Sequence, residues 1–314
     1  MYAPRLRPGD TIGIISPSQI LDPAKSARIA QVIERLGFRV LVGDNVTKDS
    51  DGYLASAAER AADLNQMVAD DRVAMILFPG GDGAVELLPL IDYAAIQSHP
   101  KLFSSYSDAT PILLTIHAQT GLTTYYGFGA SEFRDLRYYD YVQFCSHFVE
   151  GYEATDFMSD SQWLTLHGGT AEGSLLGGYL GHVARLTASP RFHYDPGAKY
   201  LLFLEDSDYF SEVGVVNTDL SYIEQSAVMA SVTGLVFGHY ADELPPDLVS
   251  RLARFGTDHD LPVVYTDDFG HGTKHAIFPI GTTARLDADH QTLRFVDSQP
   301  DPPSSDGPAG HDRP

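Results

Sequence analysis

A single cysteine and a single tryptophan stand among the 314 residues. One cysteine excludes an intrachain disulfide framework and any multi-cysteine zinc or iron–sulfur site. Basic residues are also scarce: 21 Lys plus Arg face 42 Asp plus Glu, a formal charge of -21. Phosphate backbones and anionic bilayers repel such a chain, so nucleic acid and membrane surfaces are not its expected partners. Long apolar runs are missing too. Tyr200–Leu204 and Ile12–Ile15 stop far short of the roughly 18–20 residues that cross a bilayer. Arg5 and Arg7 near the start have no long apolar stretch behind them, unlike a secretory signal. A cytoplasmic protein is expected.

What is present suits a globular fold. The length allows about two domains, and 43% hydrophobic against 20% charged residues is enough for a sizeable core. The first half alternates strand and helix patterns: Thr11–Ile15, Ala24–Leu36, Phe38–Val42, Ala57–Val68, Val73–Phe78, Ala84–Ile91, Leu102–Ser105, Pro111–Gln119 and Thr123–Tyr126. Repeated β-α units predict a Rossmann-like, doubly wound parallel sheet, with functional residues beyond the carboxyl ends of its strands. In the second half strand-like runs dominate, from Ser174–Leu176 to Leu293–Val296, which predicts a β-rich, barrel-like α+β domain. The expected division is a first domain over 1–150, a linker over 151–172, a second domain over 173–296 and a disordered, Pro- and Asp-rich tail over 297–314.

Four segments could carry chemistry. In Phe103-Ser104-Ser105-Tyr106-Ser107-Asp108-Ala109-Thr110-Pro111 a strand ends and a helix begins. That geometry presents Ser107 as on a nucleophile elbow, with N–H groups at the helix start to hold an oxyanion. The plainer reading is a helix cap by Ser107 or Asp108. Pro79-Gly80-Gly81-Asp82-Gly83 lets backbone approach a ligand, or is merely a tight turn. It also resembles the phosphate-site motif of NAD and diacylglycerol kinases, though Ala84 stands where those have Thr. The third segment, Leu204-Glu205-Asp206, ends a strand in acid; the fourth, Asp268-Phe269-Gly270-His271-Gly272, puts a histidine on a glycine-flanked loop. Ser107, Glu205 and His271 together would supply nucleophile, orienting carboxylate and base. His271 and His275 have no ligand pattern around them, so no metal is expected. Trp163 is a candidate stacking surface, or a core residue.

From about Leu6 to Leu286 the chain resembles the serine LD-carboxypeptidases and the related microcin C immunity peptidases. The resemblance is carried in order by Leu6–Ser18, Glu59–Asn65, Gly80-Gly81-Asp82 with Glu86–Asp92, Tyr106–Thr110, Gly173–Gly178, Leu202–Asp206, Gly234–Gly238 and Phe269–Gly272. It implies a serine peptidase that works through an acyl-enzyme and needs no cofactor: Ser107 the nucleophile, His271 the base and acid, Glu205 its orienting partner, and Gly81 and Asp108 N–H groups the oxyanion hole. Gly80, Asp82 and Trp163 are candidate substrate contacts. The implied substrate is a murein LD-peptide or a peptidyl-nucleotide analogue, and the implied assembly a homodimer. An amide-forming acyl transferase with the same three residues is the alternative. Four features depart from the family pattern: Ser105 and Pro79, where Gly and Arg are common, Tyr179, where Asn is common, and the stretch between Phe148 and Trp163, which is short beside immunity-type members.

Overall fold

The computed structural model describes residues 1–151, 155–189 and 192–297. Two sheets form, one largely from each half of the chain. In the first, β1 (Thr11–Ile14), β2 (Arg39–Val42), β3 (Val73–Leu77), β4 (Leu102–Ser105) and β5 (Thr124–Tyr126) run parallel in the order 2-1-3-4-5. The order reverses between β1 and β3, the place where ligands gather in open α/β sheets. The crossovers are α1 (Pro23–Arg35), α2 (Ala57–Ala69), α3 (Tyr93–Ser98) and α4 (Thr110–Thr120), with α5 (Tyr138–Phe144) following β5.

Local chemistry explains the helix starts. Asp22 accepts from Lys25 N and Pro23 opens α1, while Ser56 and Glu59 make a reciprocal capping box at α2. The helix expected over Ala84–Ile91 is instead a single 3-10 turn, Ala84–Leu87. Gly83 at φ +111° and Pro89 bracket too few residues for an α-helix.

The second sheet contains β6 (Leu164–His167), β7 (Thr170–Tyr179), β8 (Tyr200–Glu205), β9 (Val232–His239), β10 (Val263–Gly270) and, after β11 (Phe278–Ile280), β12 (Thr283–Asp287) and β13 (Thr292–Phe295). Its order is β13-β12-β7-β8-β9-β10-β6. The four central strands β7 to β10 are parallel, joined by α6 (Leu180–Thr187), α7 (Val213–Gln225) and α8 (Pro246–His259). Parallel strands buried on both faces read as unbroken apolar runs, which is how β8 and β9 look in the sequence.

The domain division drawn from composition needs two changes. The expected linker over 151–172 contains edge strand β6 and the first residues of β7. Their polar residues, such as Thr165, His167 and Thr170, hid them. Strand β11, expected in the second domain, pairs antiparallel with β5 in the first sheet. Phe278 of β11 stacks on Phe203 of β8, with ring centroids 4.7 Å apart, and packs on Phe269 at 4.5 Å. The two sheets therefore share an aromatic seam. Residues 298–314 of the expected tail lie outside the described residues. Asp297 does not: its carboxylate accepts from Thr283 N at 2.7 Å. Among the described residues no helix is long and apolar enough to cross a membrane.

Candidate active site

Strand β4 ends at Ser105, Tyr106 is extended, and Ser107 then adopts φ +60° before the chain enters α4. A non-glycine residue in this left-handed region is uncommon and mildly strained. The turn is held by Thr110 Oγ1 donating to Ser107 O at 2.7 Å and by Ser107 N–H donating to the Tyr126 hydroxyl at 3.0 Å. Ser107 is thus raised at the end of β4. Ser105, where the family commonly has Gly, turns its hydroxyl inward and donates to Phe78 O at 2.6 Å.

The carboxyl ends of the second sheet face this serine. Glu205 is the last residue of β8 and His271 follows the last residue of β10. His271 Nε2 lies 2.9 Å from Ser107 Oγ, and its Nδ1 lies 2.7 Å from Glu205 Oε2. Strand β9 runs between β8 and β10, and Gly238 leaves the needed space. A Cβ there would meet Glu205 Cβ at 2.8 Å and the Phe269 ring at 2.9 Å. Glu205 is fully buried, and its Oε1 accepts from the Tyr126 hydroxyl at 2.5 Å. Its neighbour Asp206 is equally buried but accepts from Ser207 N instead. Of the two adjacent acids, Glu205 is the one that meets the histidine.

The Gly80-Gly81 turn comes up beside Ser107. Gln19 donates to Gly80 O at 2.6 Å and Asp82 N–H to Ser18 O at 2.8 Å. Gly81 has φ +142°, and a Cβ on it would strike Ser18 O at 2.2 Å. Only glycine fits. The Asp108 carboxylate is turned inward, accepting from Ala84 N at 2.7 Å and pairing with His182 at 3.1 Å. This fastens the glycine turn to the serine turn. Asp82 lines a cleft of about 700 Å³ with Val85, Pro111, His182 and Arg185. Trp163 is not beside Ser107, Glu205 or His271 in any hydrogen bond or ring contact. It is 4% exposed, packs on Phe157 and donates its indole N–H to Asp268, so the core reading applies.

Aromatic rings surround His271: Tyr106 at 5.4 Å, Tyr179 at 5.5 Å and Phe210 at 5.1 Å between centroids. Sequence reasoning missed Tyr126 and Phe210. A strand-end position was the available signal for Tyr126; for Phe210 there was only its closeness to Glu205 in the chain. Burial pulls the His271 pKa down, but the charge and hydrogen bond of Glu205, aided by Asp206 and Glu132, outweigh it and the net shift is upward. Burial also pushes Asp206 up to about 6, against the opposing Ser207 N–H bond. Among the described residues no group of three His, Cys, Asp or Glu could hold a metal ion.

A hydroxyl bonded to an imidazole that is bonded to a carboxylate defines the serine-hydrolase class of site. The comparisons with known proteins agree in kind. Residues 12–127 match the LD-carboxypeptidase N-terminal domain and residues 172–286 the LD-carboxypeptidase C-terminal domain. The chain belongs to the LD-carboxypeptidase family of peptidases. A Bacillus subtilis (strain 168) protein named as a probable murein peptide carboxypeptidase is 30% identical over 309 residues, covering 93% of each chain. The microcin C7 self-immunity protein MccF of Escherichia coli is 25% identical over 337 residues, covering 95% of this chain and 96% of its own. A solved structure of MccF with aspartyl sulfamoyl adenosine has a TM-score of 0.83 at 23% identity, covering 95% and 98% of the two chains. An MccF-like protein from Bacillus anthracis str. Ames reaches 0.86 at 24% identity, covering 95% and 100%. These matches set aside the kinase alternative for the Gly80–Gly83 turn.

Proposed function

We propose that this peptidase cleaves an amide bond through an acyl-enzyme on Ser107. His271 Nε2 takes the Ser107 proton as Oγ attacks the carbonyl carbon, and Glu205 holds the imidazole and offsets its positive charge. The N–H groups of Gly81 and Asp108 receive the oxyanion. The tetrahedral adduct collapses, the C–N bond breaks, and His271 returns the proton to the leaving amine. Water, activated by the same histidine, then splits the ester and frees Ser107.

The observation that carries this reading is the unbroken Ser107–His271–Glu205 chain, 2.9 and 2.7 Å, assembled from strand ends of two sheets. The substrate classes are those of the relatives: a murein LD-peptide, or an aminoacyl-nucleotide analogue such as the ligand named with MccF. The experiment is mass spectrometry of purified protein with a murein tetrapeptide ending in D-alanine and, separately, with aspartyl sulfamoyl adenosine, beside Ser107→Ala. Cleavage of either that Ser107→Ala lowers by on the order of 10⁴-fold or more supports the mechanism. Equal turnover by the variant would sink it.

A further inference from the structure

The loop after Glu205 exposes two large aromatic side chains beside the reacting groups. Tyr209 is 85% exposed and Phe210 58%. Their rings meet nearly at right angles, 88°, with centroids 4.9 Å apart. Phe210 also lies 5.1 Å from His271 and 6.4 Å from Tyr179. The pair forms a corner that opens next to the imidazole. Apolar rings left in water at a site, rather than scattered singly, mark a binding surface.

The corner is held in place. Phe210 N–H and Ser211 N–H both donate to Ser207 O at 2.9 Å, Tyr209 N–H donates to Ser207 Oγ at 3.3 Å, and Asp208 N–H donates to Tyr240 O at 3.0 Å. The buried Tyr240 hydroxyl donates to Ser211 O. A turn fixed at this many points holds the backbone that carries the two rings, which lowers the cost of ordering it on binding.

Charge narrows the occupant. Residues 205–212 read Glu-Asp-Ser-Asp-Tyr-Phe-Ser-Glu, four acids and no base. Arg137 donates to Thr273 O and Lys274 holds Asp160, while Arg185, on the cleft beside Asp82, acts on the Asp219 carboxylate. A free carboxylate placed here would meet like charge. A flat ring gains offset stacking on one wall and an edge contact on the other. A positive charge on it would gain further from the ring faces and the acids.

We propose that the Tyr209–Phe210 corner is a specificity site that takes a flat aromatic group of the substrate, uncharged or cationic and without a free carboxylate. This rests on the reading of Ser107 as nucleophile, and the test separates the two. Three fluorophosphonates of matched length, ending in phenyl, cyclohexyl or carboxylate, are incubated with the protein. Labelling is followed by intact-protein mass spectrometry, with the site mapped by peptide analysis. In each case a Ser107 Oγ–P bond forms, the P–F bond breaks, fluoride leaves, and the serine proton passes to His271.

The phenyl probe should label Ser107 about tenfold faster than the carboxylate probe, equivalent to about 1.4 kcal/mol, and faster than cyclohexyl. In Tyr209→Ala and in Phe210→Leu the phenyl-to-cyclohexyl ratio should fall towards one. That ratio is internal to each variant, so a general loss of reactivity does not imitate it. Labelling of Ser107 with no preference for phenyl, or with preference for the carboxylate, overturns the corner as a specificity site. No labelling by any probe overturns the nucleophile assignment itself.

Discussion

Ser107 holds φ +60° because its N–H is anchored on a phenol, and that phenol also donates to Glu205 Oε1. Tyr126 therefore ties the shape of the serine turn to the acid behind His271. Tyr126→Phe leaves Ser107 N–H without this acceptor, at a cost of about 1–3 kcal/mol in stability if the donor stays buried. It also leaves the Glu205 charge less satisfied, so His271⁺ becomes more favourable. The fold already raises the His271 pKa above the ordinary histidine value, so in the variant the acid limb of kcat/KM should move to higher pH than in the parent. A pH–rate profile of the variant that shifts downward would contradict this. Asp206 is the second residue-scale case. Its folded pKa of about 6 lies above the ordinary aspartate value of 3.8, so the fold favours the protonated acid. The resulting penalty is absent below the unfolded pKa and is complete above about 6. Asp206→Asn should raise stability relative to the parent at pH 7.5, by at most about 3 kcal/mol, and the advantage should shrink towards pH 4. Denaturant melts at the two pH values would read it; a gain that does not depend on pH argues against a charge origin.

At the scale of elements, the site depends on strand order. Glu205 and His271 stand on β8 and β10, which are not neighbours, and β9 must pass between them without a side chain in the way. Gly238→Ala places a Cβ 2.8 Å from Glu205 Cβ and 2.9 Å from the Phe269 ring, both in buried surroundings. Overpacking of this kind typically costs about 1–3 kcal/mol. Here it should also push Glu205 away from His271, lowering kcat more than it raises KM. Thermal melts and steady-state kinetics on the same sample would show both effects; an unchanged kcat would mean that Glu205 has room to move without losing the histidine. The individual elements were largely legible. Strands β4, β8 and β9 are apolar runs with clear stops, and α1, α2 and α8 carry helical spacing. Strand β6 was not, because its half-exposed edge residues alternate weakly and are partly polar. The 3-10 turn at Ala84–Leu87 looked like a helix because its apolar spacing is helical while the bracketing Gly83 and Pro89 shorten it.

For the whole molecule, the formal charge of -21 sets the environment of every equilibrium. Self-repulsion of net charge disfavours the compact state, and added salt screens it over a Debye length of about 10 Å at 0.1 M. Raising sodium chloride from about 0.02 to 0.5 M should increase the melting temperature by roughly 2–4 °C for each kcal/mol of repulsion relieved. A scanning-calorimetry series in which the midpoint falls with salt would show that attractive ion pairs, such as Arg251–Glu224, outweigh the repulsion.

Composition and periodicity alone were enough to determine two sheets, the parallel character of the first, and the lack of any disulfide framework. Motif order singled out Ser107, Glu205 and His271, because strand ends followed by Gly, Ser, Asp or His carry a readable local pattern. Contact between those three residues was not in the sequence. They are separated by 98 and 66 positions in the chain, and no local rule spans such distances. It took the pairing of β11 with β5, the aromatic seam of Phe203, Phe269 and Phe278, and the gap left by Gly238 to set the carboxyl ends of both sheets against each other. The same docking placed Tyr126 under the serine turn and the Tyr209–Phe210 corner beside the imidazole, and moved Trp163 into the core. Propensity and capping act over a few residues, whereas a site built across two sheets is decided by the packing between them.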